Sequence, residues 1–166
     1  MACHELFSKQ SENSQQRDKV FYGSLLLVLA CCFIIVLLIL LIKQNLSIKE
    51  TFALAAKNYK ENNFKEAEMF CKKILTINNN HCESMFLLGL LSARNKNFEY
   101  AKELFNKIIE IEPNNIKAHN NLGNVLKELG KHKDALNSFN KIIQIDDKNI
   151  KAHYNLGILF YNLKEF

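Results

Sequence analysis

The chain has 166 residues, 48% of them hydrophobic, and 22 Lys and Arg against 17 Asp and Glu give a net charge of +5. One proline and five glycines exclude collagen, stalk-like segments and turn-rich β sandwiches. Twenty apolar residues fall in one 22-residue window, and the 124 residues after it hold 54 more, enough for one packed core and too few for a large catalytic domain.

Residues 1–20 read as a short polar tail, with Lys9, Arg17 and Lys19 set against Glu5, Glu12 and Asp18. Residues 21–42, Phe21 to Ile42, contain no charge. At about 1.5 Å per residue, a helix of that length matches a hydrocarbon core of about 30 Å and satisfies its own backbone in lipid. A cleaved signal peptide is the alternative. Its apolar run is normally shorter, and Lys43-Gln44-Asn45-Leu46 offers no small-residue cleavage site. A single uncleaved transmembrane helix is therefore expected, followed by a linker over 43–47. Three basic residues within 15 positions on either side leave its orientation tied.

From residue 48 onward the sequence repeats itself with a period of 34. Gly89, Gly123 and Gly157 share one register; Ala67, Ala101 and Ala135 share another. Cys71, Phe105 and Phe139 form a third, and Phe64, Phe98, His132 and Phe166 a fourth. Ile74, Ile108 and Ile142 follow, as do Ile77, Ile111 and Ile145. Each unit divides into two amphipathic helices. In the third, Leu122, Val125, Leu126 and Leu129 form one apolar stripe, and Ala135, Leu136, Phe139, Ile142 and Ile143 the next. Gly130 and Lys131 separate the two, with Gly suited to a left-handed helix end. Glu112-Pro113-Asn114-Asn115 and Asp146-Asp147-Lys148-Asn149 close successive units. The units are 48–81, 82–115, 116–149 and a partial 150–166.

These residues resemble the tetratricopeptide repeat family. The resemblance rests on Leu88-Gly89, Leu122-Gly123 and Leu156-Gly157 in the first helix of a unit. In the second helix it rests on Ala67, Ala101, Ala135, Phe105 and Phe139, with Glu112-Pro113-Asn114 at the close. It implies an all-α fold: an N-terminal single transmembrane helix, then an α-solenoid of three to four helix pairs wound as a right-handed superhelix. The first unit departs most, with Ala55 for Gly and Cys71 for the aromatic. In the last unit, Leu156, Leu159 and Phe160 read as positions left to pack against a further helix or another molecule.

The resemblance also implies a ligand groove lined by the first helices. Helical spacing assigns Phe52, Ala56, Tyr59, Phe86, Leu87, Leu90 and Arg94 to its apolar half, nearer the membrane segment. The other half takes Lys117, Asn120, Asn121, Asn124, Lys127, Lys151, Tyr154, Asn155 and Tyr161. Asn121 and Asn155, one period apart, form a ladder able to hold a peptide backbone, and the lysines suit an acidic group. Against this, Asn supplies 20 of the 124 residues, so several on any exposed face follow from composition alone. Chaperone-binding relatives carry a five-residue carboxylate clamp of Lys and Asn, then Asn, then Lys and Arg. Asn121 and Lys151 match it, but Phe86, Leu90 and Asn155 do not, so a full clamp is not expected.

No Gly-rich phosphate loop, G-x-S-x-G or H-E-x-x-H motif is present. His4, His81, His119, His132 and His153 are scattered, and the five cysteines form no C-x-x-C pair. No metal site, cofactor, catalysis, small-molecule substrate or nucleic-acid partner is therefore expected. The chain reads as a membrane-anchored scaffold or adaptor that binds a peptide or protein partner, its array on the cytoplasmic side. Two alternatives stand beside it. One is the substrate-presenting part, or a shortened relative, of a larger sugar-transferase-like enzyme. The other is a structural membrane subunit that self-associates through its last helix.

Overall fold

The computed structural model describes residues 33–43 and 47–164. The chain divides into two units, Met1–Ser47 and Ile48–Phe166. In the first, residues 33–43 are helical and exposed throughout. They take in the last ten positions of the apolar window; residues 21–32, the polar tail, and Phe166 lie outside the described residues. Among the described residues no helix is long and apolar enough to cross a membrane.

The second unit is an all-α helical repeat: α1 (residues 48–60 of a helix that begins at Ser47), α2 (Phe64–Ile77), α3 (Cys82–Arg94), α4 (Phe98–Ile111), α5 (Ile116–Glu128), α6 (His132–Ile145) and α7 (Ile150–Lys164). The 34-residue period recurs in the helix starts, at 64, 98 and 132 and at 82, 116 and 150. The helices α3 and α4, and α5 and α6, pack as pairs, and α2–α3, α4–α5 and α6–α7 contacts join successive pairs. Glu99 of α4 reaches across the next unit to Lys131, 2.9 Å away, and also pairs with Lys102. These two ammonium groups hold its carboxyl below the usual carboxylate range.

Each pair turns on the same backbone device. Asn62, Lys96 and Gly130, one period apart, take φ values of 63°, 59° and 70°. The next amide in each case bonds five residues back: Asn63 to the Asn58 carbonyl, Asn97 to that of Ser92, and Lys131 to that of Leu126. This is the Schellman ending, which needs a left-handed residue at its centre. Only Gly130 adopts that conformation without steric cost. Lys96→Gly should therefore stabilise the array by about 0.5–1 kcal/mol, read as a higher urea midpoint at unchanged slope.

The other connections also repeat. His81, Asn115 and Asn149 precede α3, α5 and α7; the His81 ring accepts from the Ser84 amide, Asn115 from that of Ala118, and Asn149 from that of Ala152. Such caps stabilise a helix start by about 1 kcal/mol each. His119 and His153 donate through Nε2 to the carbonyls of Pro113 and Asp147, at 2.9 and 2.8 Å. Their common spacing thus pins loops. Among the described residues, no group of three or more His, Cys, Asp and Glu is placed to hold a metal.

The core runs along the array where second helices cross first helices. Ala67, Cys71, Ala101, Phe105, Ala135 and Phe139 have no exposed surface. A Cβ added at Gly89 would lie 2.8 Å from the Phe105 ring, and one at Gly123 would lie 2.6 Å from that of Phe139. Each ring edge therefore rests directly on a glycine. The first unit forms its pair as well, although it lacks both residues. Ala55 and Cys71, in the registers that glycine and ring occupy in the other units, are both buried in the shared core.

Candidate functional site

The first helices α1 and α3, with the loop before α5, enclose a cavity of about 390 Å³. Its apolar wall is Phe52, Ala56, Tyr59, Phe86, Leu87 and Leu90. All six were expected in the apolar half of the groove, and the structure brings them into one place. Local packing fixes the rings: Phe86 stands edge-on to Phe105 at 5.8 Å, Tyr59 edge-on to Phe64 at 5.8 Å, and Phe52 lies 5.4 Å from the His81 ring. The pocket's floor is thus tied to the core, which keeps it open without a ligand.

The rim is polar and of both signs: Lys60, Glu83, Glu112, Asn115 and Lys117. Helical spacing alone does not find Glu112 or Asn115, because they belong to the loop between units. Asn115 Nδ2 donates to Glu112 Oε2 at 2.6 Å, holding that carboxylate at the mouth. Cys82 also lines the pocket. Burial, with the nearby Glu112 carboxylate, pushes its thiol up to about 11. At neutral pH it is a protonated, weakly polar wall rather than a nucleophile. Cys71, in the core, is pushed up to about 12, chiefly by burial.

Arg94 lies elsewhere than expected. Its guanidinium sits 3.8 Å above the Phe64 ring, in a cation–π contact that ties α3 to α2. The amide half of the groove is also arranged differently. Asn155 Nδ2 donates to Asn120 Oδ1 at 3.1 Å, both side chains being buried. Asn121 donates instead to the carbonyl of Lys117, one turn back on its own helix. The ladder of Asn121 and Asn155 is therefore not a pair of free amides: one amide joins α5 to α7 and the other caps its own turn. Asn124 and Lys127 lie half-buried on α5, and Lys151 is exposed on the first turn of α7. Tyr154 and Tyr161 line a separate cavity with Gly157 and Ile158. A further cavity of about 400 Å³, lined by Lys102, Asn106, Leu122, Leu126, Lys131, Asp134, Asn137 and Ser138, lies among α4, α5 and α6 and holds no expected groove residue.

Residues 60–142 match the family model of anaphase-promoting complex (cyclosome) subunit 3, and residues 123–164 match a tetratricopeptide repeat model. No curated protein sequence matches the chain. Among solved structures, a mutant of the Thermobaculum terrenum O-GlcNAc transferase is 25% identical, with a TM-score of 0.65 over 70% of this chain. The match spans only 22% of the transferase. The first tetratricopeptide domain of Spaghetti (RPAP3), bound to the HSP90 peptide SRMEEVD, is 17% identical, with a TM-score of 0.67, covering 70% of this chain and 93% of that one. The tetratricopeptide domain of Arabidopsis OM64 is 17% identical, with a TM-score of 0.65, covering 69% and 95%.

Proposed function

Because the chain belongs to the tetratricopeptide repeat family, we propose that it is a membrane-anchored scaffold that holds a peptide segment of a partner protein in its groove and catalyses no reaction. The observation that carries this reading is the cavity between α1 and α3, an apolar wall of about six side chains within a rim of both charges. Apolar concavities ringed by a few polar groups are where peptide side chains anchor. The rim carboxylates and ammonium groups suit a polar backbone passing over a buried apolar residue. Phe86 and Leu90 replace clamp positions that would bind a terminal carboxylate, so the anchor is an apolar side chain. The peptide bound to the Spaghetti domain shows that this fold takes a peptide in that protein.

The anchor rests on residues 21–42. Their described part, 33–42, is a helix of ten consecutive apolar residues, all exposed. Apolar surface of that extent is covered in lipid and costly in water. The array is assigned to the cytoplasmic side, consistent with its free thiols Cys71 and Cys82.

Proximity labelling with a tag at each terminus tests both parts. The N- and C-terminal tags should mark neighbours on opposite sides of one membrane. Leu90→Asp should reduce labelling of the groove partner about tenfold or more, equivalent to about 1.4 kcal/mol, with helicity retained. Unchanged labelling in this variant would refute the groove reading. A second reading is favoured by the 25% identity to the sugar transferase: an array that presents substrates to an enzyme. Under it, proteins labelled at the groove would share one sugar modification; under the scaffold reading they would not.

A further inference from the structure

The array departs from its own period between α4 and α6. There α6 places Asp134 and Ser138 in the registers that α4 fills with Tyr100 and Leu104. Leu104 is buried, and the Tyr100 ring packs against the core. Chiefly Glu68, with Tyr100 contributing, holds the Lys72 ammonium above the usual lysine range, so Tyr100 reaches across to α2. Lys72 stands one period before Asn106, a wall of the cavity of about 400 Å³. Between α2 and α4, a phenol ring and a leucine thus occupy the space that is open between α4 and α6. Two short side chains in place of two large ones leave that space unfilled. Its walls α4, α5 and α6 are complete helices inside the array, with α7 beyond them.

Chemistry narrows what fits the space. The floor is Leu122 and Leu126. Leu126 stands in the register of Ser92, so this floor is the more apolar of the two. At the rim, Lys102 and Lys131 are both drawn to Glu99, which leaves no free pair of cations for a phosphate or a carboxylate. Ser138 turns its hydroxyl back to the Asp134 carbonyl, at 3.1 Å. The groups exposed at the mouth are the amides of Asn106 and Asn137 and the Asp134 carboxylate. A flat ring covers leucines well, and a carboxylate accepts from a hydroxyl. A phenylalanine ring would cover that carboxylate without pairing it, whereas a tyrosine pairs it. We propose that this cavity is a second docking site, in which a partner protein seats a tyrosine side chain with its ring on Leu122 and Leu126 and its hydroxyl donating to Asp134. It shares no residue with the apolar pocket between α1 and α3, so it stands independently of that pocket's role.

Methyl NMR of the full-length chain in mild detergent, titrated with N-acetyltyrosinamide, tests the site. Saturable shifts of the Leu122 and Leu126 methyl groups are expected in the millimolar range, the affinity of a single seated side chain. N-acetylphenylalaninamide should bind about threefold to tenfold more weakly, the net worth of one hydrogen bond. Asp134→Ala should bring the two amides to equal affinity. Asp134→Tyr with Ser138→Leu rebuilds the filled arrangement of α4. It should abolish the shifts, with helicity kept and the urea midpoint unchanged or raised.

Several results would overturn the proposal: no saturable shift up to about 20 mM amide, equal binding of the two amides to the unaltered chain, or binding retained when the cavity is filled. Shifts at Ala56, Leu87 and Leu90 in their place would assign the ring to the apolar pocket, also against it. Tighter binding of para-hydroxyphenylacetate than of the neutral tyrosine amide would make the cavity an anion site on Lys102 and Lys131, which contradicts it as well.

Discussion

Replacing Phe139 by alanine should lower the stability of the helical array by about 3–5 kcal/mol. The ring is fully buried and its edge rests on Gly123, so its removal leaves a void that stiff helix backbones cannot close. Gly123→Ala should cost about 1–3 kcal/mol for the opposite reason: the added methyl would lie 2.6 Å from the ring. The first unit carries Ala55 and Cys71 in these two registers, both buried. The double variant Gly123→Ala with Phe139→Cys should therefore cost less than the sum of the single variants by about 1 kcal/mol or more, a coupling of the size expected for residues in contact. Urea unfolding of the two single variants and the double variant measures that coupling. Additive costs would mean that glycine and ring do not share one site.

A second large effect is expected at residues 33–42. Arginine near the centre of a membrane-crossing helix costs about 2.5–3.5 kcal/mol on insertion scales. Ile34→Arg with Ile35→Arg should therefore move the protein from the membrane pellet to the supernatant after alkaline extraction, while the unaltered chain stays in the pellet. If the unaltered chain were itself extracted, the proposed anchor would be removed and the array's groove left untouched.

Much of the array was legible because its signals repeat. Six registers at a period of 34 put unit starts at 82, 116 and 150, and α3, α5 and α7 begin at those residues, since each turn and each cap must recur wherever the same packing recurs. The apolar wall of the groove was legible for the same reason: Phe52 and Phe86 hold equivalent places, and helical spacing brings Ala56, Tyr59 and Leu90 beside them. What spacing does not encode is which partner a polar side chain selects. Asn155 bonds Asn120 rather than continuing a line with Asn121, because a buried amide must be satisfied by whichever acceptor lies nearest. Arg94 likewise stacks on the Phe64 ring and does not line the cavity. Glu112 and Asn115 escaped notice because a helical wheel has no place for loop residues. Lys96 was hidden too: its left-handed φ of 59° becomes visible only when aligned with Gly130, where residue choice betrays the turn.

The apolar pocket as a peptide anchor is tested most directly by methyl NMR of the full-length chain titrated with a peptide selected on it from a random library. The account predicts saturable shifts of the methyl groups of Ala56, Leu87 and Leu90, lost in Leu90→Asp, by a peptide that contributes a large apolar side chain. Saturable shifts confined to other parts of the array, with these three unmoved, would contradict it.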